Sequence, residues 1–370
     1  MKRTILFFCF LLAFAGYTFA QDIEALTKKA DKGDAAAMCA LAKLYVQGEK
    51  VEVDYGKAIE LYNRAAAKGN AEAQSCLGLF AALAKDYDKA FKWYSEAAKQ
   101  NYKDAQYGLA ILYDNGFGVE KDLEKAFYWY EKAAKQNHDV SQFEVGMKYY
   151  TGQGTKQDKK KGLDYIQKAA DNGNAKAQYF CALSYEEGEG LPKDINKARY
   201  WFEKAAEQGY EDALFRVASM YYRGEGVKKD IKKAAEYFLK GAEKGNSAAQ
   251  YLVSMMYETG DGLEKDDQKS VYWCRKAAEQ GESDAQFKMG MRYLSNDGVK
   301  TDLSLAAEYF QKAAKQGNTK AMYGLGLLYE QGAGLPQDYS KAMQMYKAAS
   351  KDLPAAGDAY KRLKAQGYKE

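Results

Sequence analysis

The chain has 370 residues, of which 47% are hydrophobic, 29% charged and 14% aromatic, a composition that predicts a folded protein and excludes intrinsic disorder. Its net charge of only +4 gives no reason to expect a nucleic-acid partner. His138 is the single histidine. Two-histidine zinc motifs, histidine-based catalytic triads and most transition-metal sites are therefore excluded, because they need several imidazoles or one paired with a cysteine or serine.

The first twenty residues have the pattern of a secretory signal. Lys2 and Arg3 precede an uncharged run, Ile5–Gly16, and small residues before the following polar stretch suit cleavage after Ala20. The run is too short for a membrane span of about 20 residues. Cys9 lies inside the run instead of just after it, which argues against a lipoprotein. We expect export to the periplasm or beyond, with no transmembrane span after signal cleavage; an uncleaved anchor is the competing interpretation.

An aspartate recurs along the rest of the chain at a nearly constant interval. Successive copies are 32 residues apart once and then 36 residues apart seven times. The nine copies are Asp54, Asp86, Asp122, Asp158, Asp194, Asp230, Asp266, Asp302 and Asp338. Because the residues around each copy also return in the same order, the interval predicts a structural repeat of 36 residues.

Each repeat has the pattern of two helices joined by a loop. Ala105, Leu109 and Tyr113 lie four residues apart, on one face of a helix. Gly116 and Gly118 follow, and glycines there permit the positive φ that ends a helix. The recurring aspartate then fits the N-cap of the second helix, where a carboxylate accepts backbone N–H hydrogen bonds. A small residue directly after the leucine allows the helices to pack closely.

A helix pair of this size cannot bury its own apolar face, so we predict an all-α fold in which the pairs stack into a solenoid. Nine pairs would cover residues 34–353. A capping helix at residues 21–33 and a capping helix with a tail at residues 354–370 would close the ends. The second pair is four residues short and lacks the Gly-x-Gly loop, which marks either a change of pitch or a place for a partner.

Four motifs of the repeat resemble those of the Sel1-like repeat family, which is related to the tetratricopeptide repeat. They are Ala-x-x-x-Leu-Gly-x-x-Tyr, Gly-x-Gly-Val/Leu, Asp-x-x-Lys-Ala and Trp-Tyr-x-Lys-Ala-Ala, as at Ala105–Tyr113 and Asp122–Ala134. The resemblance implies a right-handed α/α superhelix. It also implies an adaptor that holds protein complexes together, often at bacterial envelopes, and it supplies no catalytic residues.

A secreted branch of this family has a disulfide within each helix pair, a pattern that this chain lacks. Cys39 and Cys76 lie at nearly equivalent places in adjacent pairs, and a bridge between them stays open if their Cβ atoms approach within about 4.5 Å. Cys181 and Cys274 replace core residues, so we expect both to be buried and inert. His138 lies in a turn between pairs, where we expect a solvated side chain.

Partner recognition is expected at positions that the repeat does not fix. One aromatic residue per pair recurs two places after the repeated alanine, and we expect these rings to pack between repeats: Tyr107, Phe143, Tyr179, Phe215, Tyr251, Phe287 and Tyr323. The residue after each ring and the residue four places further vary freely, and such i, i+4 pairs share a helix face. The ten candidates are Glu144, Lys148, Phe180, Ser184, Arg216, Met220, Leu252, Met256, Lys288 and Arg292. By resemblance they would line a concave groove; an ordinary solvated helix face is the alternative.

We therefore predict a non-enzymatic, exported scaffold that binds a protein or peptide of the cell envelope through this groove. The chain has no Ser-x-x-Lys or Gly-x-Ser-x-Gly motif and no phosphate loop, and we expect no cofactor or metal. The alternative is a binding protein or hydrolase for cell-wall peptides, glycans or β-lactams that uses a pocket between helices. The sequence gives no indication of the oligomeric state.

Overall fold

The computed structural model describes residues 23–48 and 51–370. Within these residues every regular element is a helix. The chain divides into two compact units, Met1–Cys181 and Ala182–Glu370, with the boundary inside one helix. The predicted signal segment, residues 1–20, lies outside the described residues.

The helices are regular in length and spacing. Those of the first unit are α1 (23–31), α2 (Ala35–Gln47), α3 (Tyr55–Ala67), α4 (Ala71–Leu83), α5 (Tyr87–Lys99), α6 (Lys103–Asn115), α7 (Leu123–Ala134), α8 (Asp139–Thr151), α9 (Lys159–Asp171) and α10 (Ala175–Glu187), which continues into the second unit. Those of the second unit are α11 (Ile195–Glu207), α12 (Glu211–Arg223), α13 (Ile231–Glu243), α14 (Ser247–Thr259), α15 (Asp267–Glu279), α16 (Ser283–Ser295), α17 (Leu303–Lys315), α18 (Thr319–Gln331), α19 (Tyr339–Ala349) and α20 (Pro354–Ala365).

In each unit the helices pack as pairs, such as α8 with α9 and α14 with α15. The second helix of a pair also packs against the first helix of the next pair, as α13 does against α14. The prediction of an all-α fold built from helix-turn-helix repeats is confirmed. Below, the even-numbered helices from α2 to α18 are called first helices, and the odd-numbered helices from α3 to α19 second helices.

All nine recurring aspartates occupy the N-cap of a second helix, and each accepts a hydrogen bond from a backbone N–H within the first turn. At Asp302, for example, Oδ1 lies 2.9 Å from the amide nitrogen of Leu305. The loop before the cap starts with a left-handed residue, and Asn296 adopts this conformation with φ of 60° where the glycine is missing. The residue types at both ends of the loop therefore follow from local backbone requirements.

The two helices of a pair approach each other closely at the small residue of the first helix. A Cβ atom added to Gly290 would lie 2.6 Å from the ring of Phe310, which is fully buried. The same addition at Gly326 would lie 2.6 Å from the ring of Tyr346. These glycines are therefore required by the space that a neighbouring ring occupies.

Buried glutamines connect successive pairs. Gln250 on α14 donates to the carbonyl oxygen of Ala242, near the end of α13, at 3.0 Å. Its own carbonyl oxygen accepts from Gln280, after α15, at 2.7 Å. The Ala242 carbonyl also accepts from the backbone N–H of Gly245 at 3.1 Å, so Gln250 adds a second donor at this helix end and ties it to the next pair.

The cap at Asp302 offers a clean test, because no lysine pairs with this carboxylate among the described residues. We expect Asp302→Ala to lower the free energy of unfolding by about 1 kcal/mol, since it removes the acceptor for the Leu305 amide. Asp302→Asn keeps an acceptor and should retain most of the stability. Urea denaturation of the three proteins gives the comparison, and equal losses in both variants would contradict a capping role.

The close approach at Gly290 predicts a second effect. We expect Gly290→Ala to lower stability by about 1–2 kcal/mol, because the added methyl group forces the Phe310 ring to move. At Gly357 in α20 an added Cβ would meet its nearest neighbour, Ser350, at an ordinary 3.7 Å. Gly357→Ala should therefore leave stability unchanged or raise it through helix propensity. Thermal unfolding checks both; a neutral Gly290→Ala would show that the pair tolerates wider spacing.

Candidate functional site

The ten candidate residues separate into two classes of burial. The first member of each pair is half-buried: Glu144, Phe180, Arg216, Leu252 and Lys288. The second member is buried, with exposed fractions of 2–5%: Lys148, Ser184, Met220, Met256 and Arg292. The expectation that both positions escape the packing of the repeat is therefore wrong for the second position.

The second position is buried because it faces the preceding pair. Lys148 lies over the ring of Tyr130 at 5.5 Å and donates to Oδ1 of Asp114 at 2.7 Å. Arg292 donates to the Ser270 hydroxyl at 2.8 Å, on the second helix of the preceding pair. These side chains hold neighbouring repeats together, and a partner cannot reach most of their surface.

The first position also touches the preceding pair, but only with part of its side chain. The guanidinium of Arg216 lies 5.6 Å from the ring centre of Phe202. The corresponding residue of the ninth pair is Gly324, where an added Cβ would lie 3.2 Å from the ring of Phe310. The size of this residue therefore decides how far the ring beneath it is covered.

Contacts between successive first helices alternate between ion pairs and apolar contacts. Asp114 pairs with Lys148 at 2.7 Å, and Glu258 pairs with Lys288 at 2.8 Å. Glu186 pairs with Arg216 in the same way. The carboxylates Asp114, Glu186, Glu258 and Glu330 are 72 residues apart, which is twice the repeat. The residues midway between them are Tyr150, Tyr222 and Leu294.

Two cavities open at the apolar junctions of the second unit. The first, of about 380 Å³, lies between α12 and α14, and the second, of about 420 Å³, lies between α16 and α18. The first is lined by Phe215, Ser219, Tyr222, Arg223, Phe238, Leu252, Met255, Met256, Thr259 and Asp261. The second is lined by Phe287, Met291, Leu294, Phe310, Lys320, Tyr323, Gly324, Leu327, Leu328, Gln331 and Leu353. We call the side of these four helices that carries the cavities the first-helix surface of the second unit.

The two cavities occupy equivalent places. Their linings correspond at an interval of 72 residues, as in Phe215 and Phe287, Tyr222 and Leu294, or Met255 and Leu327. The floor of each is a buried ring from a second helix, Phe238 or Phe310. The same apolar site is therefore built twice in this unit.

The recurring aromatic residues pack mainly within their own pair. Phe215 lies 5.5 Å from Phe238, and Phe287 lies 5.8 Å from Phe310, both measured between ring centres. The sequence predicts packing between repeats for these rings; Tyr107 and Phe143 do contact rings of the next pair, at 4.9 Å from His138 and 6.5 Å from Phe180, whereas Phe215 and Phe287 contact rings of their own pair. Both first-helix rings also line the cavities.

The sequence analysis identifies part of this site. Leu252 and Met256 line the first cavity and are among the ten candidates. Tyr222, Met291 and Leu294 are missed, although they are 43%, 39% and 37% exposed. The alternation at 72 residues is the signal that could have indicated them, because it appears only when every second repeat is compared.

The four cysteines among the described residues are free thiols whose pKa values are raised, chiefly by burial. The pKa of Cys39 and of Cys181 is about 12, and that of Cys274 is about 11. Cys76 is also free, so the bridge that the sequence leaves open is not formed. Thiols held this far from ionisation are poor nucleophiles.

Two kinds of feature are absent from residues 23–48 and 51–370. No three His, Cys, Asp or Glu side chains come together there in a way that would hold a metal ion. None of the helices described above combines the length and hydrophobicity needed to cross a bilayer.

His138 is a helix cap and is not a solvated turn residue. Its Nδ1 accepts from the backbone N–H of Ser141 at 3.1 Å, at the start of α8, and its ring lies 4.9 Å from that of Tyr107. Burial lowers the pKa of His138, and the nearby carboxylate of Asp104 opposes this only in part. The turn places the imidazole against the preceding pair, which the sequence analysis did not anticipate.

The comparisons with known proteins agree with this architecture. A model of the Sel1 repeat matches nine segments: residues 35–70, 75–102, 103–138, 139–174, 175–210, 211–246, 247–282, 283–318 and 319–352. The crystal structure of a Sel1 repeat protein from Oxalobacter formigenes is similar, with 33% identity, a TM-score of 0.55, and coverage of 95% of this chain and 93% of that one. So is c5321, a protective antigen present in uropathogenic Escherichia coli strains that displays an SLR fold, with 29% identity, a TM-score of 0.64, and coverage of 93% and 83%. Among curated proteins none matches.

The capping role of His138 predicts a pH dependence. Its pKa in the folded chain lies below the unfolded value of about 6.5, so the unfolded chain binds the proton more readily. The stability that the neutral cap contributes is therefore fully present above pH 6.5 and is lost as the pH falls through and below that value. His138→Asn, whose amide caps without titrating, should lack this component. Urea midpoints at several pH values test it; parallel profiles for both proteins would contradict the assignment.

Proposed function

We propose that this chain, which belongs to the Sel1 repeat family, is an exported scaffold that binds a partner protein through its first helices and has no enzymatic activity of its own. Proteins built from Sel1 repeats are generally protein-interaction scaffolds. The partner, the envelope location and the absence of catalysis are our proposal for this member.

The observation that carries the proposal is the apolar area on the first-helix surface of the second unit. Tyr222, Met291 and Leu294 are large hydrophobic residues, each more than a third exposed, and they lie at the two cavities. Exposed apolar patches that contain aromatic and methionine side chains are typical of protein-binding surfaces. The cavities lie between helices of regular length that pack against their second helices, so a partner would meet a preformed surface.

Export is supported by the signal pattern at residues 1–20. The similar protein c5321 is described as a protective antigen, and we take exposure to the immune system as support for a location outside the cytoplasm. An exported scaffold of this kind would meet its partner in the cell envelope.

Site-specific photo-crosslinking tests the proposal. We expect a photoreactive phenylalanine analogue at Tyr222 to give discrete adducts with a protein in the exported fraction of the source bacterium. Tyr200 is the matched control, because it is a tyrosine of similar exposure, 51% against 43%, on a second helix. Adducts at both positions, or only at Tyr200, would place the interaction elsewhere. No adduct at Tyr222, or a chain retained in the cytoplasm, would contradict the proposal.

A further inference from the structure

We infer that the first-helix surface of the second unit binds an extended segment of a partner protein that carries two apolar side chains, one for each cavity, with an acidic side chain between them. This inference rests on the proposed function and specifies the chemistry of the partner. It follows from the duplication of the cavity, the distance between the two copies and the charges that lie around them.

The two cavities are suited to apolar side chains. Met255 and Met256 line the first, and Leu327 and Leu328 line the corresponding part of the second. The floor of each is an aromatic ring, which offers a flat apolar surface to an aliphatic or aromatic group. A side chain that fills such a site contributes most binding free energy when the surrounding walls are apolar.

The distance between the cavities favours an extended segment. They are two repeats apart, and neighbouring packed helices lie about 8–10 Å apart, so the separation is about 16–20 Å. An extended chain advances about 3.3 Å per residue and points successive side chains to opposite faces, so two side chains on the same face match this distance when they are six residues apart. A helix would need about 11–13 residues at 1.5 Å per residue.

The surface between the cavities carries two cations that share a carboxylate. Lys288 donates to Oε1 of Glu258 at 2.8 Å, and Arg292 lies 3.4 Å from Oε2 of the same residue. Arg292 is 2% exposed and its Nε has no hydrogen-bond partner. Its other charged neighbour is Asp297, at 3.5 Å, whose side chain is 55% exposed on the following loop. The side chain of Lys288 remains 29% exposed, so its ammonium group can donate to a second carboxylate.

Each rim carries one cation. Arg223 lies at the first cavity and Lys320 at the second, and both are exposed. Asp261 is the acidic residue in the lining of the first cavity, and Glu225 lies 3.3 Å from Arg223 on the adjacent loop. Around the cavities and the junction between them, the four cations Arg223, Lys288, Arg292 and Lys320 are balanced by four carboxylates, Glu225, Glu258, Asp261 and Asp297. The case for an acidic side chain in the ligand therefore rests on the half-buried Lys288 at the junction.

The charged junction also argues against a continuous apolar ligand. A long acyl chain or an apolar helix that spans both cavities would cover Glu258, Lys288 and Arg292 with hydrocarbon. Removing such charges from water without new partners is costly. A peptide with an acidic side chain at this place instead supplies a partner for Lys288.

A peptide library tests the inference. A phage library of random twelve-residue peptides is selected on the full exported chain, and selected peptides are synthesised with a fluorescent label for anisotropy measurements. We expect the selected sequences to share two large apolar residues six positions apart, with Asp or Glu between them. Sequences without this pattern would overturn the inference.

Variants locate the bound peptide. We expect Met255→Glu and Leu327→Glu each to weaken binding at least about tenfold, because each places a charge in one cavity. Tyr272→Glu makes a similar change at an exposed residue of a second helix and should leave binding unchanged. Lys288→Gln should weaken binding about threefold and reduce its salt dependence. If Met255→Glu does not fold, Met255→Ala replaces it in the binding measurement, after circular dichroism has shown that this variant is folded.

The remaining outcomes also discriminate. Equal affinity of the wild type, Met255→Glu and Leu327→Glu overturns the inference. So does concentration-dependent self-association that Met255→Glu abolishes, since the occupant would then be a second copy of the chain. Displacement of the selected peptide by laurate at low micromolar concentration would assign the cavities to a lipid. If no selected peptide binds through the two cavities while crosslinks to a protein still form at Tyr222, the proposed scaffold function stands and only this inference fails.

Discussion

The stacking of the repeats depends on one contact, in which a side chain of the second helix lies directly against a glycine of the first, as it does in four of the pairs. In the eighth pair this is Phe310 against Gly290, where no space remains for a Cβ atom. Because the ring packs so closely against Gly290, its other face reaches the next pair, where Gly324 lies against it. One buried ring thus belongs to two pairs, which explains why a single helix pair cannot be stable alone.

The binding surface follows from how the next pair covers that ring. Where the covering residue is long and charged, as with Arg216 and Lys288, it reaches a carboxylate of the preceding first helix and closes the junction. Where it is Leu252 or Gly324, no ion pair forms and a cavity remains above the ring. In the second unit, cavities and ion pairs therefore alternate with the residue at this position, so the cavities recur every two repeats although the helix pairs recur every one.

The sequence predicts those features that depend on neighbours within one pair. The caps at Asp302 and its equivalents, and the left-handed Asn296, follow from backbone requirements that a short segment contains. The burial of Met220 and Arg292 depends on the preceding pair, and no pattern within one repeat contains that information. The exposed Tyr222 and Leu294 could have been found, since the sequence does alternate at 72 residues, but only by comparing every second repeat.

The first unit shows how easily such a surface can change. Phe143, Tyr150 and Phe180 correspond to three residues of the first cavity, Phe215, Tyr222 and Leu252. The ring of Phe180 lies 5.4 Å from that of Tyr150 and 6.5 Å from that of Phe143, so this chain's own side chain occupies the place that Leu252 leaves open. The size of one half-buried residue thus determines whether a junction is filled or can accept a partner. Because that residue lies outside the close contact of the pair, recognition can vary from junction to junction while the helical framework stays the same.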